Sequence, residues 1–216
     1  MEKNSFMQII PAILPKNQTE LATQVKQVID LVSYVQVDVC DGVFVQSKTS
    51  FHELPYLLDM EYELDLMISE PEKNMMQYID MQPARIIIHL ESVKNWDVLY
   101  ATLGNIRGII EIGFCINNTT PNELLETHIA KCDFIQFMGI RTIGKQGESF
   151  DETVLEKISY FHKKNPEKII SVDGSVNSET IQKLAEYGVT RFVCGSSIFG
   201  TKDVVGNMQV LEKLIN

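Results

Sequence analysis

The chain has 216 residues, 44% of them hydrophobic, and its 29 acidic against 19 basic side chains give a net charge of −10. That length fills one sizeable core and is short for two ordinary domains, so residues 1–216 read as one domain; the acidic balance leaves no basic footprint for nucleic acid. No stretch approaches the ~20 apolar residues of a membrane span, and the opening MEKNSFMQIIPAIL lacks a charged start with a long apolar run, so a cytoplasmic protein without membrane attachment is expected.

Short runs rich in Val, Ile, Leu, Phe and Met alternate along the chain with amphipathic stretches. The first run, 8–14, leads into Leu21, Val25, Val28, Ile29 and Val32 at helical spacing, with Asn17 and Glu20 placed as a capping box. Runs follow at 34–40, 63–68, 85–90 and 109–116. After the fifth, Thr120-Pro121-Asn122-Glu123 sets a cap hydroxyl, a proline at the first helical position and a reciprocal glutamate ahead of Leu124 and Leu125. The sixth run, 134–140, is followed by Asp151 before Val154, Ile158 and Phe161. The seventh, 168–172, is followed by Asn177 before Ile181, Leu184 and Ala185, with Gly188 as the stop. The eighth, 191–194, precedes a last helix from Val204 to Ile215. Near-continuous apolar strands joined by crossover helices make a parallel sheet, and about eight repeats in so short a chain predict a (β/α)8 TIM barrel. An open doubly wound sheet has a similar one-dimensional pattern, but no G-x-G-x-x-G follows the first run.

Active groups of such barrels sit at the C-terminal ends of the strands, which directs attention to polar residues late in each run. Alternation sends Gln36, Asp38 and Cys40 to one side of the second strand; Asp65 is embedded in the third run and Asp173 ends the seventh. A single strand-end aspartate is as well explained by backbone acceptance, whereas three at equivalent positions suggest a shared site. Gly195-Ser196-Ser197-Ile198-Phe199-Gly200 is a small-residue turn whose N–H groups suit an anion, with Gly174 and Ser175 beside it after strand seven. Cys40, Cys115, Cys132 and Cys194 never pair as C-x-x-C and read as reduced, mostly packed thiols.

These segments resemble the ribulose-phosphate 3-epimerase family, in order and over nearly the whole chain. Pro11-Ala12-Ile13-Leu14 is similar to the family's P-S-I-L, Val37 to Gly42 to V-D-V-M-D-G, Leu66-Met67-Ile68 to the end of H-L-M-I, and Ile88-His89-Leu90-Glu91 to V-H-x-E. Residues 117–121 resemble N-P-x-T-P, 172–177 V-D-G-G-V-N, and 195–199 the phosphate turn G-S-A-I-F. The resemblance implies a ribulose-phosphate-binding barrel that inverts the carbon next to a ketone, with Asp38 and Asp173 on opposite faces of the sugar. It also implies a bound divalent metal, phosphate contacts at Gly174, Ser175, Gly195, Ser196 and Ser197, and site methionines at Met67 and Met138, and it leaves room for a homo-oligomer. A packed core explains both methionines equally well.

The departures bear on the metal. Gln36 and Asp65 stand at the family's two metal-binding histidines, so the ligand set Gln36, Asp38, Asp65 and Asp173 is all oxygen and suits Mg²⁺ or Mn²⁺ better than zinc or iron, or the metal is absent. The family's mobile lid, N-P-G-F-G-G-Q, becomes residues 141–147, which keep two glycines and add Arg141 and Lys145. Lys145 is expected to be solvated, and Arg141 stays open. His89 is expected to pack, with His52, His128 and His162 at the surface. Two other readings stay open. One is a non-catalytic sugar-phosphate binder. The other, weaker, is a Mg²⁺-dependent aldolase or decarboxylase of related barrels, whose Asp-x-Lys-x-x-Asp strand corresponds here to Asp38-Val39-Cys40-Asp41, without the lysine.

Overall fold

Parallel strands β1 (Gln8–Ile13), β2 (Tyr34–Cys40), β3 (Glu61–Met67), β4 (Arg85–His89), β5 (Glu111–Ile116), β6 (Phe134–Met138), β7 (Ile169–Asp173) and β8 (Arg191–Cys194) close into a barrel in chain order, β8 pairing back on β1. The computed structural model describes residues 7–55 and 60–215. Around the barrel lie α1 (Gln18–Val28), α2 (Pro71–Ile79), α3 (Trp96–Ile106), α4 (Asn122–His128), α5 (Thr153–Lys164), α6 (Ile181–Glu186), the single turn α7 (Ser196–Phe199) and α8 (Val204–Ile215). Every expected run is a strand, with ends shifted by at most two residues.

The two faces of each strand meet different surroundings. Val35, Val37 and Val39, Leu64 and Leu66, Ile86 and Ile88, Phe114 and Ile116, and their equivalents point outward and pack against Leu21, Val25, Met75, Leu99, Ile158, Leu184 and Leu211 of the helices. This shell is the main hydrophobic core. The inward face is unusually polar for a barrel, whose interior is dominated by branched apolar side chains in most members. Near the strand starts, Arg85 donates to Glu63 at 2.9 Å and to Glu111 at 2.8 Å, and Arg191 donates to Glu111 at 2.8 Å. The two guanidinium groups stack on Tyr34 and Phe134, 3.8 and 4.5 Å from the ring centres.

Local signals hold in part. Asn17 caps α1 by accepting from the Glu20 N–H at 2.9 Å, but Glu20 reaches the Lys16 N–H rather than that of Asn17, one residue outside a reciprocal box. Thr120 does not cap α4: its hydroxyl is given to Glu91, and the helix starts after Pro121 with no side-chain cap. The alternation also breaks, because no helix joins β2 to β3 among the described residues. There Asp41 accepts the N–H groups of Val43, Phe44 and Ser69 at 2.7–2.9 Å, which fastens a loop where a crossover helix was expected. Burial pushes the Asp41 carboxyl up, but these donors hold it below its ordinary value. All four cysteines are free and buried. Of the histidines assigned to the surface, only His52 is exposed: His128 stacks on Trp96 at 3.7 Å, and His162 is half-buried against Gly188.

Candidate active site

At the C-terminal mouth of the barrel, β2, β3 and β7 bring Asp38, Asp65 and Asp173 together, with one carboxylate oxygen of each within 4.8 Å of the others. Strand register makes this possible, since Asp38 and Asp65 are direct neighbours across the β2–β3 ladder and Asp173 neighbours Met138. Gln36, two residues below Asp38 on the same inward face, donates both amide hydrogens, to Asp38 at 2.8 Å and to Asp173 at 2.7 Å. Its own Oε1 is buried with no partner among the described residues. Both oxygens of Asp65 have a partner: Oδ1 meets His89 Nε2 at 3.0 Å, and Oδ2 accepts from Gln136 at 3.3 Å, which accepts in turn from Ser171 at 3.1 Å. His89 therefore does more than pack. Burial pulls its pKa down, but the Asp65 carboxylate outweighs that and holds it above the usual histidine range.

The three acids do not behave alike. Desolvation, then the charges of Asp173 and Asp65, push Asp38 well above the normal carboxylate range. Asp173 is raised by desolvation and by Asp65. Both carboxyls are thus raised, Asp173 to about 7, and their titrations are linked by their proximity. For stability the sign is fixed. A carboxyl whose folded pKa exceeds its unfolded value of about 4 binds more protons in the native state, so stability falls as pH rises from about 4 through the raised values, by up to ~1.4 kcal/mol per pH unit per proton. His89, raised above 6.5, acts in the same direction. Asp151, lowered to about 2 by Arg141, acts only below pH ~4. The metal-free protein is thus expected to melt at a lower temperature at pH 8 than at pH 5, and the slope should flatten in an Asp38→Asn/Asp173→Asn variant. Calorimetry across that range checks this, and a flat or rising wild-type profile would contradict it.

A cleft of ≈170 Å³ opens above Asp38 and Asp173, lined also by Met67, Met138, Gly174, Ser175, Gly195, Ser196 and Ser197. Every phosphate-contact candidate from the sequence therefore faces one space. Gly174 turns there with φ +103°, and a Cβ on it would stand 2.7 Å from Ile140. The expected 195–200 turn is helical, Ile198 and Phe199 N–H returning to Gly195, so the N–H groups of Ser196 and Ser197 are the unpaired first ones of α7. The Ser197 hydroxyl is spent on Val176 O at 2.7 Å, which leaves that residue only its backbone for a ligand. Gln36 and Asp65 lie beneath the cleft rather than on its lining. Sequence reasoning passed over Ile140, Gln146 and Glu148 and treated Asn177 only as a cap; all four line the cleft. Asn177 also donates to Ser175 O at 3.1 Å.

The site fits a hard cation. Asp38 Oδ2 and Asp173 Oδ1 accept no hydrogen bond from the described residues, and Gln36 Oε1 is buried without a partner beside them. The donors are all oxygen, as Mg²⁺ and Mn²⁺ prefer.

Fold and site together define a (β/α)8 barrel with an acidic floor and backbone-lined turns at the C-terminal mouth, an arrangement suited to a small polar anion. The model of the ribulose-phosphate 3 epimerase family matches residues 8–199, and the chain belongs to that family. It is 31% identical to the chloroplastic ribulose-5-phosphate-3-epimerase of Arabidopsis thaliana over 90% of this chain and 72% of that protein. It is 26% identical to the ribulose-phosphate 3-epimerase of Bacillus subtilis over 92% and 94%. Among solved structures, KGPDC from Streptococcus mutans, in its ligand complex, superposes with a TM-score of 0.73 at 12% identity, covering 98% of each chain. A 3-hexulose-6-phosphate synthase gives 0.71 at 12% identity, covering 97% of this chain and all of the other. These two share the fold. No helix among the described residues is long and apolar enough to cross a membrane.

Proposed function

We propose that the protein is a sugar-phosphate epimerase that inverts the carbon next to the ketone of a phosphorylated ketose, D-ribulose 5-phosphate to D-xylulose 5-phosphate or a close relative. The observation that carries this reading is that Asp38 and Asp173 face one cleft, both raised in pKa and both held by a single Gln36 amide. One carboxylate takes the proton from carbon; the C–H electron pair becomes the second bond of an enediolate, and negative charge moves onto the former ketone oxygen. The other carboxyl returns a proton to the opposite face, and the pair exchanges roles for the reverse direction. The phosphate would lie on the N–H groups of Gly174, Ser175, Gly195, Ser196 and Ser197, with Met67 and Met138 excluding water from the sugar.

Asp38, Asp173, Asp65 and Gln36 would hold a divalent cation, Mg²⁺ or Mn²⁺. When bound, that ion supplies Lewis-acid stabilisation of the developing oxyanion. A purely sugar-phosphate-binding role is the second reading, favoured by Gln36 and Asp65 standing where the family's histidines stand. An aldolase or decarboxylase role has less support, because Cys40 stands where the lysine of that strand motif would be.

The test is proton exchange on D-ribulose 5-phosphate in deuterated water, with and without Mg²⁺, Mn²⁺ or Zn²⁺, on protein whose metal content has been measured. Deuterium at the carbon beside the ketone, with xylulose 5-phosphate formed, is the expected result. Binding without exchange would establish the second reading, and cleavage products or carbon dioxide the third.

A further inference from the structure

The cleft has an electrostatic problem. Asp38 and Asp173 form its floor and Glu148 stands on its lining, yet the ligand of the proposed reaction carries a phosphate. Backbone N–H groups offset part of that repulsion, but among the described lining residues one side chain alone is cationic, Lys145. The other cation of the 141–147 segment is elsewhere: Arg141 pairs with Asp151, with its side chain 71% exposed. Lys145 has no ion-pair partner among the described residues.

Its neighbours fix where it stands. On one side Gly144 accepts the Ser47 hydroxyl through its carbonyl and packs on Val45, in the loop after β2. On the other, Gln146 donates to Ala12 O at 3.3 Å and lies 2.7 Å from where a Cβ on Gly195 would be, at the β1 and β8 ends. Residue 145 is therefore the middle of a bridge tied at both banks of the mouth. The Gln146 amide also rests on the glycine of the turn assigned to phosphate, which helps explain a cleft smaller than the ~300 Å³ at the lower end of ligand sites.

We propose that Lys145 is the specificity-determining residue for the phosphate, a cation supplied from the segment over the mouth that selects phosphorylated over unphosphorylated ketoses. This rests on the sugar-phosphate reading of the same cleft; Lys145 is exposed, as the sequence led us to expect, so the charge it offers is a solvated one at the rim of the cleft. A lysine suits the position because a point charge on a flexible four-carbon stem can reach an anion from a fixed backbone.

The experiment compares wild type with Lys145→Met and Lys145→Arg, titrating inorganic phosphate by calorimetry and measuring exchange kinetics on D-ribulose 5-phosphate and on unphosphorylated D-ribulose. Lys145→Met should weaken phosphate binding and raise KM for the phosphorylated sugar, each about tenfold, with a much smaller fall in kcat and no loss with D-ribulose. Lys145→Arg should recover most of the affinity, and the salt dependence of wild-type phosphate binding should weaken in Lys145→Met. Phosphate binding by Lys145→Met within twofold of wild type would overturn the proposal, whether or not exchange is seen. A tenfold loss in Lys145→Met alongside a wild type that exchanges no proton would leave the lysine's role standing and overturn the epimerase reading. A wild type that binds neither phosphate nor sugar phosphate would overturn both.

Discussion

Asparagine at position 38 or 173 is expected to lower proton exchange at the carbon beside the ketone by about a thousandfold, the scale of losing one positioned acid or base, while making the metal-free protein more stable. The two effects have one cause. Each aspartate is pushed above its ordinary pKa, so its charged form costs the native state free energy that the unfolded chain does not bear. Asparagine keeps the volume and an oxygen that accepts the Gln36 amide hydrogens, but it neither takes a proton nor repels its neighbours. A gain of about 1 kcal/mol or more per site at pH 8, where the wild-type carboxyls are most nearly ionised, follows from the linkage. Single-turnover deuterium incorporation and chemical denaturation measure the two quantities. Exchange within tenfold of wild type in both variants would place proton transfer on other groups. A loss of stability in both would mean that the carboxylates hold the mouth together rather than strain it.

The parts of this site that were legible in the sequence are those fixed by period and count. Alternation alone puts Gln36, Asp38 and Cys40 on one side of β2, and the eightfold repeat puts Asp173 and the small residues after β7 and β8 at the same end as Asp38. What period cannot give is partnership. Asp65 looked interchangeable with Asp38, but its pairing with His89 of β4 and Gln136 of β6 depends on register across the barrel, and those bonds set it beneath the cleft. On the same glycine-bearing segment the sequence left Arg141 open and made Lys145 a solvated residue, without placing either relative to the mouth. Asp151, next to the start of α5, takes the arginine, and contacts with Ser47, Val45 and Gly195 leave the lysine over the mouth. Thr120 carried a capping pattern, but α4 begins one residue later with Pro121 at its N-cap, and the Thr120 hydroxyl donates to Glu91, distant in sequence. One signal was present and passed over: charged residues, Arg85, Glu111 and Arg191, open the strands β4, β5 and β8, with Glu63 near the start of β3.

Breaking one pair of that overlooked layer should destabilise the fold strongly. Glu63 is buried to 1% exposure, and burial pushes its carboxyl up even against the pull of Arg85, its hydrogen-bonded partner at 2.9 Å. Arg85→Met keeps a long apolar stem in the barrel interior but strands Glu63, whose Oε1 already has no partner among the described residues. Removing one member of such a pair costs about 3–5 kcal/mol, because the remaining charge must stay buried alone or take up a proton. Glu111 should contribute less, since its side chain is 30% exposed and it keeps Arg191 at 2.8 Å. The double variant Arg85→Met/Glu63→Leu removes both desolvated charges and is expected to recover most of the loss, as apolar replacements of buried pairs do. Urea denaturation of the single and double variants measures both steps. The layer lies at the strand starts, away from the carboxylates at the mouth, so exchange per folded molecule should stay near the wild-type rate in the double variant. A single-variant loss below about 1 kcal/mol would mean that water reaches Glu63 and that the polar interior is solvated rather than held by its own ion pairs.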